Sequence, residues 1–207
     1  MKITSTEKRN KNKDIIAVYI DNCYSFTISE ENFISLNLYD DRDMTIEEIN
    51  NIKNNINYKS AKNEAIKYIS YKFRSRKEVF AKLSEEGYEK GIIEKVLDEL
   101  TAMGYINDKI YTQKYIFDRS KLKPKSSKLL KHELRLKGID SDIINEVMMD
   151  YEVDDNIVAE GLARKKFGKY DMTEEKIVKK IYSFLKHRGF DHDVISRAIN
   201  ELGNNIE

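Results

Sequence analysis

The chain states one passage three times. Residues 83–96 read LSEEGYEKGIIEKV, residues 134–147 read LRLKGIDSDIINEV, and residues 185–198 read LKHRGFDHDVISRA, and the three align without a gap. Gly87, Gly138 and Gly189 are spaced 51 residues apart, twice. Each glycine has a leucine four residues before it (Leu83, Leu134, Leu185) and a large apolar residue directly after it (Tyr88, Ile139, Phe190). Apolar pairs follow at plus five and plus six: Ile92 and Ile93, Ile143 and Ile144, Val194 and Ile195. Val96, Val147 and Ala198 stand at plus nine. A fixed period near fifty residues is the mark of a modular array, in which each unit buries its apolar face against its neighbours.

The spacing also dictates local structure. A leucine followed four residues later by glycine ends a helix, because glycine enters the left-handed region without a Cβ penalty. The acid two residues on (Glu89, Asp140, Asp191) then opens the next helix; Asp is a strong N-cap and Glu a weaker one. With that acid as cap, Tyr88 faces Ile93, Ile139 faces Ile144 and Phe190 faces Ile195 as a hydrophobic staple. Each repeat therefore holds a tight helix–turn–helix.

Around these cores the pattern predicts three helices per repeat. In the first they cover about 60–72, a helix capped by a Ser75–Glu78 box and ending at Gly87, and a third running to about 103. Ala65, Ile66, Ile69 and Phe73 are the expected core positions of the first helix. The second repeat reads as helices at 108–121, 126–137 and 140–151, with KLKPKS as a connection. The third reads as 155–167, 173–188 and 191–202. The first forty-odd residues differ. DIIAVYID and YSFTIS are β-type runs about Asn22-Cys23, which reads as a hairpin. SEENFISLNL reads as a short helix capped by Ser29. Thr45 and Glu48 form a capping box for a further helix carrying Ile46, Ile49, Ile52 and Ile56. The expected fold is mainly α: three tandem three-helix repeats behind a small N-terminal β-hairpin module. The domain divisions are 1–58, 59–107, 108–152 and 153–207.

Composition excludes several classes. Of 207 residues 35% are charged, yet the net charge is only +1, so the chain as a whole does not seek polyanions. The segment to Tyr58 is mildly acidic, with seven Lys/Arg against ten Asp/Glu. Cys23 is the lone cysteine and cannot form an internal disulfide. No apolar run approaches a membrane span, and the N-terminal residues lack a signal-peptide core, so a soluble, cytoplasmic protein with no membrane partner is expected. His132, His187 and His192 share no metal-ligand spacing, except that the last two lie five positions apart, which fits solvated surface better than zinc. No glycine-rich phosphate loop occurs. The expectation is a non-enzymatic protein with no catalytic residues, metal or cofactor.

Charge within the repeats is more informative. Eight basic residues lie between Arg119 and Lys137 against one acid, Glu133; nine lie between Leu162 and Arg188 against three acids. The first repeat shows the same bias more weakly, with Lys72, Arg74, Arg76, Lys77 and Lys82 against Glu78. The acids gather at the third helices. This predicts a segmented basic strip along the connections between first and second helices. The candidate contact residues are Lys72, Arg74, Arg76, Arg119, Lys121, Lys123, Lys125, Lys128, Arg164, Lys165 and Lys166. Solvated helix surface is the plain reading of such a strip, and a docking face for something acidic and elongated is the functional one. Contacts of this kind to phosphates would be salt-sensitive and independent of sequence. Tyr68, Tyr71, Tyr111, Tyr115 and Tyr182 fall at helical spacing with Ile and Leu, which favours core packing over base stacking.

YISYKFRSRKEVFAKL (68–83), LDELTAMGYINDKIYTQKYI (97–116), KLKPKSSKLLKHELRLKGI (121–139), LARKKFGKY (162–170) and FLKHRGF (184–190), in that order and at that period, resemble the RecX family of regulatory proteins. The resemblance spans nearly the whole chain. It departs from the family's habit at Phe73-Arg74-Ser75 and Lys125-Ser126-Ser127, where a serine still remains to cap the helix that follows. It implies a regulator that binds RecA–DNA filaments in their helical groove and inhibits recombinase, ATPase and co-protease activities in DNA repair. The implied partners are the RecA filament and its single-stranded DNA, with weak direct DNA binding. A monomer is expected, since no heptad seam appears. A DNA-binding helix–turn–helix protein and a helical-repeat scaffold are the alternatives. The acids opening each third helix (Glu89, Asp140, Asp142, Asp191, Asp193) oppose the first of these, because carboxylates at a recognition helix's N-terminus meet repulsion in the major groove.

Overall fold

The computed structural model describes residues 1–10, 13–151 and 154–204. The chain forms two compact units, Met1–Asn107 and Asp108–Glu207.

The first unit begins with three antiparallel strands, β1 (Ile3–Asn10), β2 (Lys13–Ile20) and β3 (Cys23–Ser29), in the order β1-β2-β3. The hairpin joining β2 and β3 turns on Asp21-Asn22, one residue earlier than expected. Both take positive φ (50° and 64°), as a two-residue turn matched to strand twist requires. Cys23 pairs with Ile20 and is exposed. β1 is an addition to the expected hairpin. Its residues ITSTEKRN lack alternating apolar character, and Ile3 supplies the buried anchor. Ile16, Val18, Ile20, Phe26 and Ile28 form one face of the sheet and share a core with Leu38, Met44, Ile49 and Ile52. On the opposite face Ala17 sits across from Thr27, and both are buried.

Helix α1 (Glu30–Ser35) starts at Ser29, whose hydroxyl accepts from the Asn32 N–H. α2 (Ile46–Asn51) carries the Thr45–Glu48 capping box. It runs without a break through a π turn, Ile52–Ile56, into α3 (Asn57–Ser70), so residues 46–70 form one continuous helix. The wider turn stacks Asn57 on Ile52: the Asn57 N–H reaches the Ile52 carbonyl. Ile46, in the first turn, is exposed. In α3 the buried line is Ala61 and Ala65, continued by half-buried Ile69. Ile66 lies one residue, and about 100°, off that line and is exposed. Phe73 and Tyr71 follow the helix end and are exposed as well. Tyr111 is buried, whereas Tyr68, Tyr115 and Tyr182 pack partly buried against their cores, as core packing requires.

α4 (Arg76–Glu85) opens on the Ser75–Glu78 capping box and ends at Gly87, where φ is +82°. α5 (Lys90–Ala102) follows. Glu89 holds the N-cap backbone conformation, but its side chain does not cap; it accepts from the Tyr24 hydroxyl of the sheet at 3.3 Å.

The second unit contains the other two repeats: α6 (Asp108–Leu122), α7 (Ser127–Leu136) and α8 (Ser141–Asp150), then α9 (Asp155–Phe167), α10 (Glu175–Lys186) and α11 (His192–Asn204). Gly138 and Gly189 take φ of +79° and +84°, as the leucine–glycine spacing requires. Asp140 caps α8 by accepting from the Asp142 N–H. The staple pairs Ile139 with Ile144 and Phe190 with Ile195 are buried together in their cores.

A common joint fastens consecutive modules inside each unit. In the first, the Thr27 hydroxyl of β3 donates to the Gly87 carbonyl at 2.7 Å. In the second, the Ser126 hydroxyl at the N-cap of α7 donates to the Gly189 carbonyl at 2.7 Å, and its N–H donates to the Arg188 carbonyl. The glycine that ends a helix thus also lets a neighbouring module's hydroxyl approach its backbone. Among the described residues no helix is long and apolar enough to cross a membrane, and no group of His, Cys, Asp and Glu is placed to hold a metal.

Candidate partner-binding surface

The eleven expected contact residues divide into two sets once their neighbours are known. Five are tied to carboxylates. Arg76 spans Glu94 and Asp98 at 2.9 and 2.7 Å. Burial opposes its charge, but those hydrogen bonds outweigh burial and hold the guanidinium's pKa above its ordinary value. Lys125 and Arg119 both reach Glu133, the one acid of their segment, which also accepts from the Tyr115 hydroxyl at 2.8 Å. Burial pushes against the Glu133 charge, yet hydrogen bonds from Lys125 and Tyr115 hold its carboxyl below the usual range. Lys128 pairs with Asp191 at 2.8 Å, lowering that carboxyl's pKa chiefly by its hydrogen bond. Arg164 pairs with Glu160 one helical turn back at 2.7 Å.

The other six, Lys72, Arg74, Lys121, Lys123, Lys165 and Lys166, have no carboxylate partner among the described residues. Arg74 lies 3.9 Å from the Tyr68 ring centroid. Lys121 sits 5.5 Å from the Phe117 ring, and Lys166 4.2 Å from the Phe184 ring. Cations resting on aromatic faces keep their charge available to a partner.

Four of these six gather in the second unit around one groove of about 700 Å³. The C-terminal end of α6 and the Lys123-Pro124-Lys125 connection form one wall, and α9 forms the other. Its apolar lining is largely aliphatic: Ile116, Leu122, Leu130, Ile157, Val158 and Leu162. Lys121, Lys123, Lys125, Lys165, Lys166 and Arg188 provide its charged lining, and among the described residues no Asp or Glu lines it. Leu122 is 79% exposed and Ile157 69%, and the two belong to one contiguous apolar-lined surface. The charge pattern predicts the cations of this surface. Leu122, Ile157, Phe184 and Arg188 are additions from the structure, because they come together only when two repeats pack.

Family models of the RecX domains match in chain order: the first three-helix domain over residues 61–100, the second over 107–148 and the third over 157–199. A regulatory protein RecX of Clostridioides difficile is 31% identical over 204 residues, covering 98% of this chain and 96% of that protein. One from Clostridium acetobutylicum is 31% identical over 206 residues, with 97% and 95% covered. Among solved structures, RecX from Lactobacillus salivarius has a TM-score of 0.61 at 30% identity, covering 71% of this chain and 97% of that one. Another RecX crystal structure has a TM-score of 0.62 at 22% identity over 96% of this chain and 98% of the other, a likeness of fold. The 51-residue repeat, the three matched domains and the end-to-end likeness agree: the chain belongs to the RecX family of regulatory proteins.

Proposed function

We propose that the chain is a non-enzymatic regulator that binds RecA–DNA filaments and lowers their recombinase, ATPase and co-protease activities, acting in DNA repair. The observation that carries this reading is the groove of the second unit, where four cations without carboxylate partners among the described residues surround exposed aliphatic side chains. Such a surface suits a protein partner carrying acid and apolar groups. Repeated modules add weak contacts through effective concentration, which suits a partner that is itself a repeating filament. Regulation follows if the chain binds one state of the filament better than another. The DNA-reading alternative is opposed by Asp140 and Asp142 at the start of α8 and by Asp191 and Asp193 at the start of α11.

The deciding experiment is the rate of ATP hydrolysis by preformed RecA filaments on single-stranded DNA, with the protein titrated in below stoichiometry. Progressive inhibition, at salt where binding to bare DNA is absent, is the expected result. An unchanged rate rejects the reading.

A further inference from the structure

The groove between the second and third repeats has a chemistry more specific than a basic strip. Along α9, Ile157, Gly161 and Lys165 stand four residues apart and line one wall. Gly161 lies in the interior of this helix, where glycine is the least favourable residue after proline. No packing demand explains it: beyond its chain neighbours and its own helix backbone, a Cβ at that position meets no heavy atom within 4 Å. The absent side chain leaves the groove open between the exposed Ile157 and the cation of Lys165. Opposite stand Leu122, the most exposed large apolar residue described, and Lys121 and Lys123.

We infer that this groove is a docking site for an acidic amphipathic segment of a protein partner, its apolar side chains on the aliphatic lining and its carboxylates toward the lysines. The inference rests on the reading of this face as a partner surface. Charge complementarity selects the sign of the occupant, because among the described residues six cations, of which only Lys125 is paired with a carboxylate, and no acid line the groove. The apolar lining selects its kind. Among the described lining residues six are aliphatic and Phe184 alone is aromatic, with Lys166 4.2 Å and Arg188 3.8 Å from its ring centroid. Nucleic-acid bases stack on open aromatic faces, whereas leucine and isoleucine side chains pack on an aliphatic floor. A helix laying its apolar stripe into such a groove is a recurrent mode of recognition.

The test uses the full chain and a fluorescent synthetic amphipathic peptide about 15 residues long, with Leu and Ile at helical spacing and Glu elsewhere. Comparators are the same peptide with Lys for Glu, and an oligothymidylate. Gly161→Leu fills the groove at a position with room for it and raises helix propensity, so it should fold at least as well as the parent. Lys123→Glu/Lys165→Glu tests the charge separately. The expected result is saturable binding of the acidic peptide alone, weakened about tenfold or more by either variant. Equal binding of both peptides, no binding of the acidic one, or binding indifferent to Gly161→Leu overturns the inference. So does preferential uptake of oligothymidylate that Gly161→Leu abolishes, which makes the groove a nucleic-acid channel. Self-association in sedimentation that Gly161→Leu abolishes also overturns it, by making a second copy the occupant. Filament ATP hydrolysis measured on the same preparations separates the two readings. Peptide binding without filament inhibition removes the regulator reading and keeps this one; inhibition without peptide binding does the reverse.

Discussion

A β-carbon at position 189 would lie 2.7 Å from the Leu129 Cβ and from the Ser126 hydroxyl oxygen, on a backbone with φ of +84°. Left-handed strain of about 1–2 kcal/mol for an L-residue then adds to overpacking of about 1–3 kcal/mol. At Gly104, φ is +76° but nothing lies within 4 Å, so the strain acts alone. Gly87 falls between, because its neighbours are the Cδ1 and Cγ2 of the Ile15 side chain at 3.2 and 3.3 Å, a looser contact than the 2.7 Å approaches at 189. Urea unfolding should rank the alanine variants Gly189, Gly87, Gly104 from most to least destabilised, with about 3 kcal/mol at the first and about 1 kcal/mol at the last. An equal loss at all three would mean that the joint to Ser126 contributes nothing. A second residue-scale effect belongs to Glu133, whose carboxyl collects Lys125, Arg119 and Tyr115. Its pKa is depressed in the folded state. The stability it contributes is therefore complete above its unfolded value of about 4.3 and lost as pH falls through the lower folded value. Glu133→Gln should cost about 1–3 kcal/mol at neutral pH. The gap between parent and variant in urea midpoints should close as acid protonates the parent's carboxyl. A gap independent of pH would assign the loss to packing rather than charge.

Among the elements, the continuous helix through residues 46–70 links the sheet to the first repeat, and its π turn makes the link possible. Asn57 is the fifth residue after Ile52, and the wide turn still places one above the other. Asn57 is 3% exposed and donates from Nδ2 to the Thr27 carbonyl at 2.6 Å, while the Thr27 hydroxyl holds the Gly87 carbonyl. Asn57→Ala removes the donor and should cost about 1–3 kcal/mol. Amide exchange should quicken in β3 more than in α5; unaltered protection of β3 would show that the asparagine does not fasten the sheet. How such elements read from sequence depends on where their signal resides. Caps at Ser29, Thr45, Ser75 and Asp140, and the glycine turns, are local chemistry, complete within four residues, and the sequence states them outright. β1 is not legible because, among its described side chains, its polar run carries a single buried anchor, Ile3, in place of alternation. The π turn is hidden because Ile49, Ile52 and Ile56 fit an ordinary helix equally well. In the functional surface the cations are legible and their availability is not. Lys125 and Lys123 look alike in sequence, and only the fold brings Glu133 to one of them. The groove lining joins Leu122 to Ile157 across two repeats, beyond the reach of any periodicity.

At the scale of the whole molecule, a net charge of +1 leaves little long-range field. At physiological ionic strength exposed charges are screened over about 8 Å, so attraction to an acidic partner has to arise where the surfaces touch. This separates a local docking face from general basicity by experiment. Lys121→Glu/Lys123→Glu/Lys165→Glu alters three cations of the groove that have no carboxylate partner among the described residues, and leaves the Lys125–Glu133 pair intact. The same change of charge at Lys59, Lys67 and Lys95, exposed lysines of the first unit, is the matched control. If the groove makes the contact, the first variant should weaken inhibition of filament ATP hydrolysis about tenfold or more and the control should leave it nearly unchanged. Added salt should weaken the parent's inhibition and bring it toward that of the groove variant, because the ionic contribution being screened is the one the variant already lacks. Circular dichroism should stay helical for both. Equal losses in variant and control would make net charge the cause and remove the groove from the interface. Lys125→Glu, by contrast, sets a second carboxylate against Glu133 and should lower unfolding stability before it lowers filament inhibition, which marks Lys125 as part of the scaffold that holds the wall of the groove in place.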